Sequence, residues 1–372
     1  MDSPTHLMSV ANLSSSIQRY RKSLLVLIAL WCIAWFAPLS WGTDGDAPTW
    51  RGIAIPRAGN LPFVAVEQMS ESGLLLLASE AGLFEWQAPS AIPQVASTPI
   101  HALKPSQIQT RVERVFDLKR NATGELLAIA GGIPGESGSM EVWRLPDRTL
   151  LRRWEIPHDV IYEVAWAPDS KRLAAACADG ICIADDLECG ATSARYTGHS
   201  SAATTVTFLQ DGQTVASGAI DQTIHLWNSM TGDGMRVLDN HTAPVRQLLL
   251  GPPSTDPMRG TILSASEDRT VRLWQPQLGR LVRFTKLPSS VSALERGLPS
   301  PSGSRSIEST HLIVGCDDGS LHRIDLPWMK SVQIDAPNLG RVYKLLRFAP
   351  NSPQHSNRFL IMLASNGAAI LE

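Results

Sequence analysis

Residues 198–228 read GHSSAATTVTFLQDGQTVASGAIDQTIHLWN, and the same design returns as NHTAPVRQLLL at 240–250 and GTILSASEDRTVRLWQ at 260–275. Each pass sets a His near its start, an apolar strand, a Ser-bearing strand, an Asp in a tight turn and a strand ending in Trp. Asp221 and Asp268 stand 47 residues apart, as do Trp227 and Trp274. A repeat of that length built from short strands predicts an all-β chain folded as a β-propeller. Repetition of this kind points to a binding surface rather than to a single catalytic centre.

Weaker copies extend outward from this pair. Residues 160–185, VIYEVAWAPDSKRLAAACADGICIAD, give a third blade. Segments 63–86 and 111–145 predict two earlier blades, and 290–325 and 343–372 two later ones. Seven four-stranded blades are expected. Asp179, Asp221, Asp268, Asp318 and Asn366 fall at one position, the tight turn between the second and third strands. Small polar residues suit it by tolerating left-handed geometry and offering a local acceptor. In the second blade that turn is read as stretched into IPGESGS, residues 133–139. The last repeat stops after its third strand, so the missing outer strand is expected from TWRGIAI, residues 49–55, which would also remove an exposed edge.

Over residues 165–275, and more faintly over 63–372, the chain resembles the WD40 repeat family. That resemblance implies a hydrogen-bonded network in each well-kept blade: His199, Ser217, Asp221 and Trp227 in the fourth, and His241, Ser264, Asp268 and Trp274 in the fifth. A buried Trp N–H needs an acceptor and a half-buried Asp needs donors, so these residues are read as structural. Divergence is evident. Neither repeat keeps the Trp-Asp dipeptide, and Ala184, Ile324 and Ile370 are read as replacing the Trp in the third, sixth and seventh blades.

Composition excludes several classes. The 33 basic and 35 acidic residues leave a net charge of −2, which gives no basic field for nucleic acid. The five Cys show no zinc-ligand spacing, although Cys177 and Cys182 flank a hairpin turn and leave open either a cross-strand disulfide or two buried thiols. Residues 135–139 read GESGS, which lacks the nucleophile-elbow pattern. His225 and His322 lie in different repeats and are not read as sharing a metal. Asn121 and Asn240 begin glycosylation patterns. No catalytic residue, metal or cofactor is predicted. An exported enzyme or small-ligand sensor that uses the channel, of the quinone-binding propeller kind, is the alternative reading.

Residues 24–41, LLVLIALWCIAWFAPLSW, carry no charge and follow Arg19, Arg21 and Lys22. They are read as membrane-contacting. Residues 1–22 form a short basic cytoplasmic leader, 23–42 a transmembrane signal anchor, and 43–372 the propeller, placed outside the cytoplasm. A cleaved signal peptide with a cut before Thr43 is the competing reading, and a propeller held in the cytosol is a third. The propeller is expected to be a monomeric, non-enzymatic scaffold for a protein or peptide partner. The residues expected on its partner-binding face are Glu113, Tyr162, Arg246 and Lys344 from strand starts, with Glu267 and Asp317 from turns.

Overall fold

The computed structural model describes residues 52–55, 62–70, 73–88, 103–157, 159–180, 182–187, 194–251, 260–297, 311–326, 328–348 and 359–371. The chain divides into two units, residues 1–49 and 50–372, and every described residue belongs to the second. The proposed leader and anchor therefore lie outside the described residues. Among the described residues no helix is long and apolar enough to cross a membrane.

Seven antiparallel sheets of four strands each make up this unit. Their innermost strands are Phe63–Gln68, Val115–Arg120, Ile161–Trp166, Ala203–Phe208, Val245–Leu250, Val291–Arg296 and Val342–Phe348. These strands contact one another in sequence, and the seventh also contacts the first, so the ring is closed around a channel. Blade seven takes three strands from the C-terminus, and its fourth is Gly52–Ala54, paired in register with 369–371. The N-terminal closing strand is thus in place, and no outer edge is left open there.

Apolar packing runs between blades, because each sheet buries both faces against its neighbours. Leu263, Leu273, Leu294 and Ile324 fill one such layer, and Val206, Val215 and Trp227 fill another. At the closure, Phe348, Ile361, Leu363 and Ile370 of blade seven pack on Phe63, Leu75, Leu77 and Trp86 of blade one. Seven layers of this kind complete the ring.

Every innermost strand carries a β-bulge at the same point, after its first residue. The bulged residues are Val64, Phe116, Tyr162, Thr204, Arg246, Ser292 and Tyr343. The residue after each bulge lies in the channel wall: Asp117, Glu163, Thr205 and Gln247 in blades two to five. Each accepts a hydrogen bond from a backbone N–H of the next blade, namely Val164 (3.1 Å), Val206 (3.2 Å), Leu248 (2.9 Å) and Leu294 (2.7 Å). In blade one Glu67, two positions further on, accepts from the Arg120 N–H at 3.2 Å. An inner strand is a sheet edge whose buried N–H groups need acceptors, and these side chains supply them.

Two sequence expectations change, and one open alternative is resolved. The turn of blade two is short: strands Leu126–Ile133 and Ser137–Arg144 pair down to Ile133↔Ser137, leaving only 134–136 as the connection. Gly131 permits that extension, since a Cβ there would sit 1.7 Å from the Arg114 carbonyl oxygen. Cys177 and Cys182 do not face each other. Cys182 pairs with Ala176, so the two thiols enter opposite apolar layers and are both free. Burial pushes the Cys182 thiol up to about 12. The counterpart of Trp227, which pairs with Val215, is Asp185 rather than Ala184 in blade three, because Asp185 pairs with Leu173. Ile370 likewise faces blade one, on the other side of its sheet.

Deleting residues 50–55 removes the closing strand. The expected result is a melting temperature lower by at least about 5 °C, together with self-association through the bared edge, read by thermal unfolding and size-exclusion chromatography.

Candidate functional site

Two groups of side chains stand out: the polar networks inside the blades and the residues at the channel mouth. In blade four the Trp227 indole N–H donates to Ser217 Oγ (3.2 Å). Ser217 Oγ meets His199 Nε2 at 2.8 Å, and His199 Nδ1 meets Asp221 Oδ2 at 2.9 Å. An indole can only donate and a carboxylate only accept, so the chain runs one way: the serine O–H donates to Nε2, and Nδ1–H donates to Asp221. Blade five repeats this with Trp274, Ser264, His241 and Asp268 at 2.8, 2.7 and 2.7 Å.

Each Asp also shapes its own turn. Asp221 Oδ1 accepts from the backbone and hydroxyl of Thr223, and Asp268 Oδ1 does the same with Thr270. The left-handed residue is the one after the Asp: Gln222 (φ 72°) and Arg269 (φ 68°), matched by Gly180 and Gly319. The Asp therefore supplies the acceptor while its successor takes the strained backbone.

A Ser-His-Asp sequence of contacts invites a catalytic reading, but the geometry denies it. Ser217 and Ser264 have 0% exposure, and each oxygen is already engaged by an indole. No substrate carbonyl can reach them. Burial lowers the pKa of His199 and His241. Burial, then the neighbouring His199, takes His225 down to about 4. These imidazoles are neutral at pH 7.

Blade two fills the same place with different chemistry, which the sequence reading missed. Trp143 Nε1 donates to Glu141 Oε2 at 2.9 Å, and Glu141 is fully buried. Thr110 Oγ1 (2.8 Å), the Arg111 N–H (3.1 Å) and Arg153 Nη1 (3.0 Å) complete its shell. The signal was available: Glu141 and Trp143 stand two apart on one face of the strand, and the residues between and before them, Val142 and Met140, are apolar. Asn121, in a candidate glycosylation pattern, is buried and bonded to Thr123 and the Leu126 N–H.

The mouth is set by the bulges. Of the six expected face residues, Tyr162 and Arg246 occupy bulged positions. Glu267 lies in a turn and ion-pairs with Arg246, and Asp317 pairs with Arg341 at 2.9 Å. Two assignments shift. Glu113 precedes its strand and meets the Ser137 hydroxyl at 3.3 Å, while Phe116 holds the place equivalent to Tyr162. Lys344 stands one residue too far along: Tyr343 is the bulged residue and is 38% exposed. Lys344 instead enters the channel. Its ammonium donates to Asp117 at 2.9 Å, lies 4.0 Å from Glu163, and its side chain is only 14% exposed. Burial alone would push its pKa down, yet Asp117 and then Glu163 carry it well above the ordinary value. A bulge takes one residue out of pairing, so counting from strand starts misplaces the wall.

Tyr343, Val64, Phe116 and Tyr162 thus form an arc over blades seven, one, two and three. The Phe116 and Tyr162 rings meet edge-on at 5.8 Å. Opposite them, Thr204 and Ser292 turn their hydroxyls to carbonyls of the following blades, those of Val245 and Val342. The mouth is therefore aromatic on one side and ion-paired or hydroxyl-bearing on the other.

Comparison with known proteins agrees with this architecture. The family model for the WD domain, G-beta repeat, matches residues 149–183, 190–228 and 232–275. These three stretches are WD40 repeats, and the described residues as a whole form a seven-bladed propeller. Human WD repeat-containing protein 90 is 32% identical over 154 residues, covering 37% of this chain and 9% of that protein. Eukaryotic translation initiation factor 3 subunit I of Neurospora crassa is 30% identical over 98 residues, covering 26% of this chain and 27% of its own length. THO complex subunit 3 of Arabidopsis thaliana is 29% identical over 138 residues, covering 36% and 40%. These matches span well under half of each relative. A chain in the crystal structure of the mitotic checkpoint complex superposes with a TM-score of 0.63 at 18% identity, covering 86% of this chain and 93% of that one, which shows the shared fold.

Two outcomes follow from the blade networks. Ser264→Ala leaves the Trp274 N–H and His241 Nε2 without partners and should cost about 2–4 kcal/mol in urea unfolding, whereas Ser200→Ala on an exposed loop should stay within about 0.5 kcal/mol. The second concerns acid. The unfolded chain binds protons at histidines near pH 6.5, while the folded pKa values lie lower, so stability is full above that pH and falls as pH drops toward about 4. The melting temperature should decline across that window, and a flat profile would contradict the neutral-imidazole assignment.

Proposed function

We propose that the protein is a non-enzymatic scaffold that binds a protein or peptide partner at the channel mouth. The observation that carries this is the arc of Tyr343, Val64, Phe116 and Tyr162 at successive bulged positions, flanked by the Arg246–Glu267 and Arg341–Asp317 pairs. Aromatic anchors with a charged rim are what a peptide-binding surface uses, since rigid rings contribute contact area at small entropic cost. Two relatives are named as subunits of larger complexes, which supports an assembly role. The Lys344–Asp117 pair links blade seven to blade two across the channel and counts against a cofactor bound there. The hydrophobic run 24–41 supports tethering of this propeller to a membrane, with the ring on the non-cytoplasmic side, or export after cleavage.

The test uses peptides selected from a random displayed library on the full-length protein. Tyr162→Ala with Tyr343→Ala should weaken the selected peptides at least about tenfold, whereas Phe284→Ala on the outer rim should leave them unchanged. Peptides that bind the double variant as well as the parent would overturn the mouth assignment.

A further inference from the structure

Blades four and five share their network down to the threonine of the turn, but they differ at one position, four residues after the Asp. Blade five has Arg272 there. Its Nη2 reaches Asp268 Oδ2 at 3.3 Å and its Nε donates to Thr270 at 3.0 Å, so a permanent cation sits against the carboxylate. Blade four has His225. Its ring stacks on His199 at 4.0 Å between centroids, 19° from parallel. Among the described residues Asp221 has no lysine or arginine partner, and its only ion-pair neighbour is His199. A buried carboxylate therefore faces two imidazoles where its twin faces a guanidinium. One donor atom from each of His199, Asp221 and His225 lies within 4.8 Å of the others.

We propose that His199, Asp221 and His225 form a binding site for a divalent first-row transition-metal ion, in the place that the Arg272 guanidinium fills in blade five. The donor set, two imidazoles and a carboxylate, suits zinc and its neighbours rather than calcium or magnesium. His199 Nδ1 touches Asp221 Oδ2, and His225 Nε2 is bridged to Asp221 Oδ1 through the Thr223 hydroxyl (2.9 and 2.6 Å). Ligand distances of about 2.0–2.1 Å from one ion require the two stacked rings to tilt apart, so that their in-plane lone pairs converge on it.

The surroundings fit as an outer shell. Thr223 gives its proton to Asp221, so it accepts from His225 Nε2–H, and His225 Nδ1 accepts from the Tyr196 hydroxyl at 2.6 Å. Binding at His225 Nε2 moves that ring's proton to Nδ1, where the Tyr196 oxygen accepts it. Binding at His199 Nδ1 moves its proton to Nε2, where Ser217 Oγ accepts it once the serine O–H rotates away. Both rings stay neutral, so no net proton is released. Ligating histidines are ordinarily held by such partners on their second nitrogen.

The experiment titrates full-length protein with Zn2+, following bound metal by equilibrium dialysis, and repeats the titration with Co2+ for its visible d–d bands. His225→Arg restores the blade-five arrangement and so should fold. The expected result is one Zn2+ per chain for the parent, lost or weakened at least about tenfold in His225→Arg, with Co2+ bands of imidazole coordination only in the parent. Tyr196→Phe keeps both imidazoles and should weaken binding about tenfold. Absence of that equivalent in the parent overturns the proposal. So does equal Zn2+ binding by parent and His225→Arg, and where His225→Arg does not fold, unchanged affinity in Tyr196→Phe does the same.

Discussion

A propeller blade exposes its innermost strand to the channel, and that strand has a row of backbone N–H groups with no further strand to receive them. The rest of this ring depends on how that edge is satisfied. In blades two to five the side chain after the bulge accepts the N–H of the next inner strand, so one residue type choice per blade links neighbours that share no sheet. The bulge makes this possible by turning one extra side chain out of the pleat. It also pushes the preceding residue toward the mouth. Structural closure and the chemistry of the mouth are therefore consequences of the same local distortion.

The blade networks show one requirement met in several ways. A Trp at the end of the third strand needs an acceptor, and a serine held by a histidine provides it in blades four and five. Blade two uses Glu141 instead, with Arg153 and Thr110 holding the buried charge. Blade six places Ile324 there and removes the need. Divergence of the repeats has not loosened the ring, because the constraint is satisfaction of each buried polar group rather than identity of residue. Where blade four swaps the expected cation for His225, the change alters what the carboxylate of Asp221 can receive.

Much of this was legible in the sequence, for reasons that differ by element. Blades four and five stood out because the turn Asp and the terminal Trp recur at one spacing. The closing strand at Gly52–Ala54 followed from a last repeat that lacked its outer strand. The mouth was read less well. Bulges leave no mark in a single strand's alternation, so Lys344 was placed on the face and Tyr343 passed over, and Glu113 stood in for Phe116. The contact of His199 with His225 joins a loop residue to a strand residue 26 positions on, through a stack that no periodicity predicts. Comparing the position after the turn Asp in the two repeats, His against Arg, was the signal that pointed to it.

The proposed docking place is the bulge-defined mouth and not the outer rim. A photo-crosslinking amino acid is placed in turn at Tyr343 and at the exposed Phe284 and Val332 on the outermost strands of blades five and six, in the full-length protein. Partner adducts are expected from position 343 and none from the two rim positions. Adducts concentrated at 284 or 332, with none from 343, would contradict it.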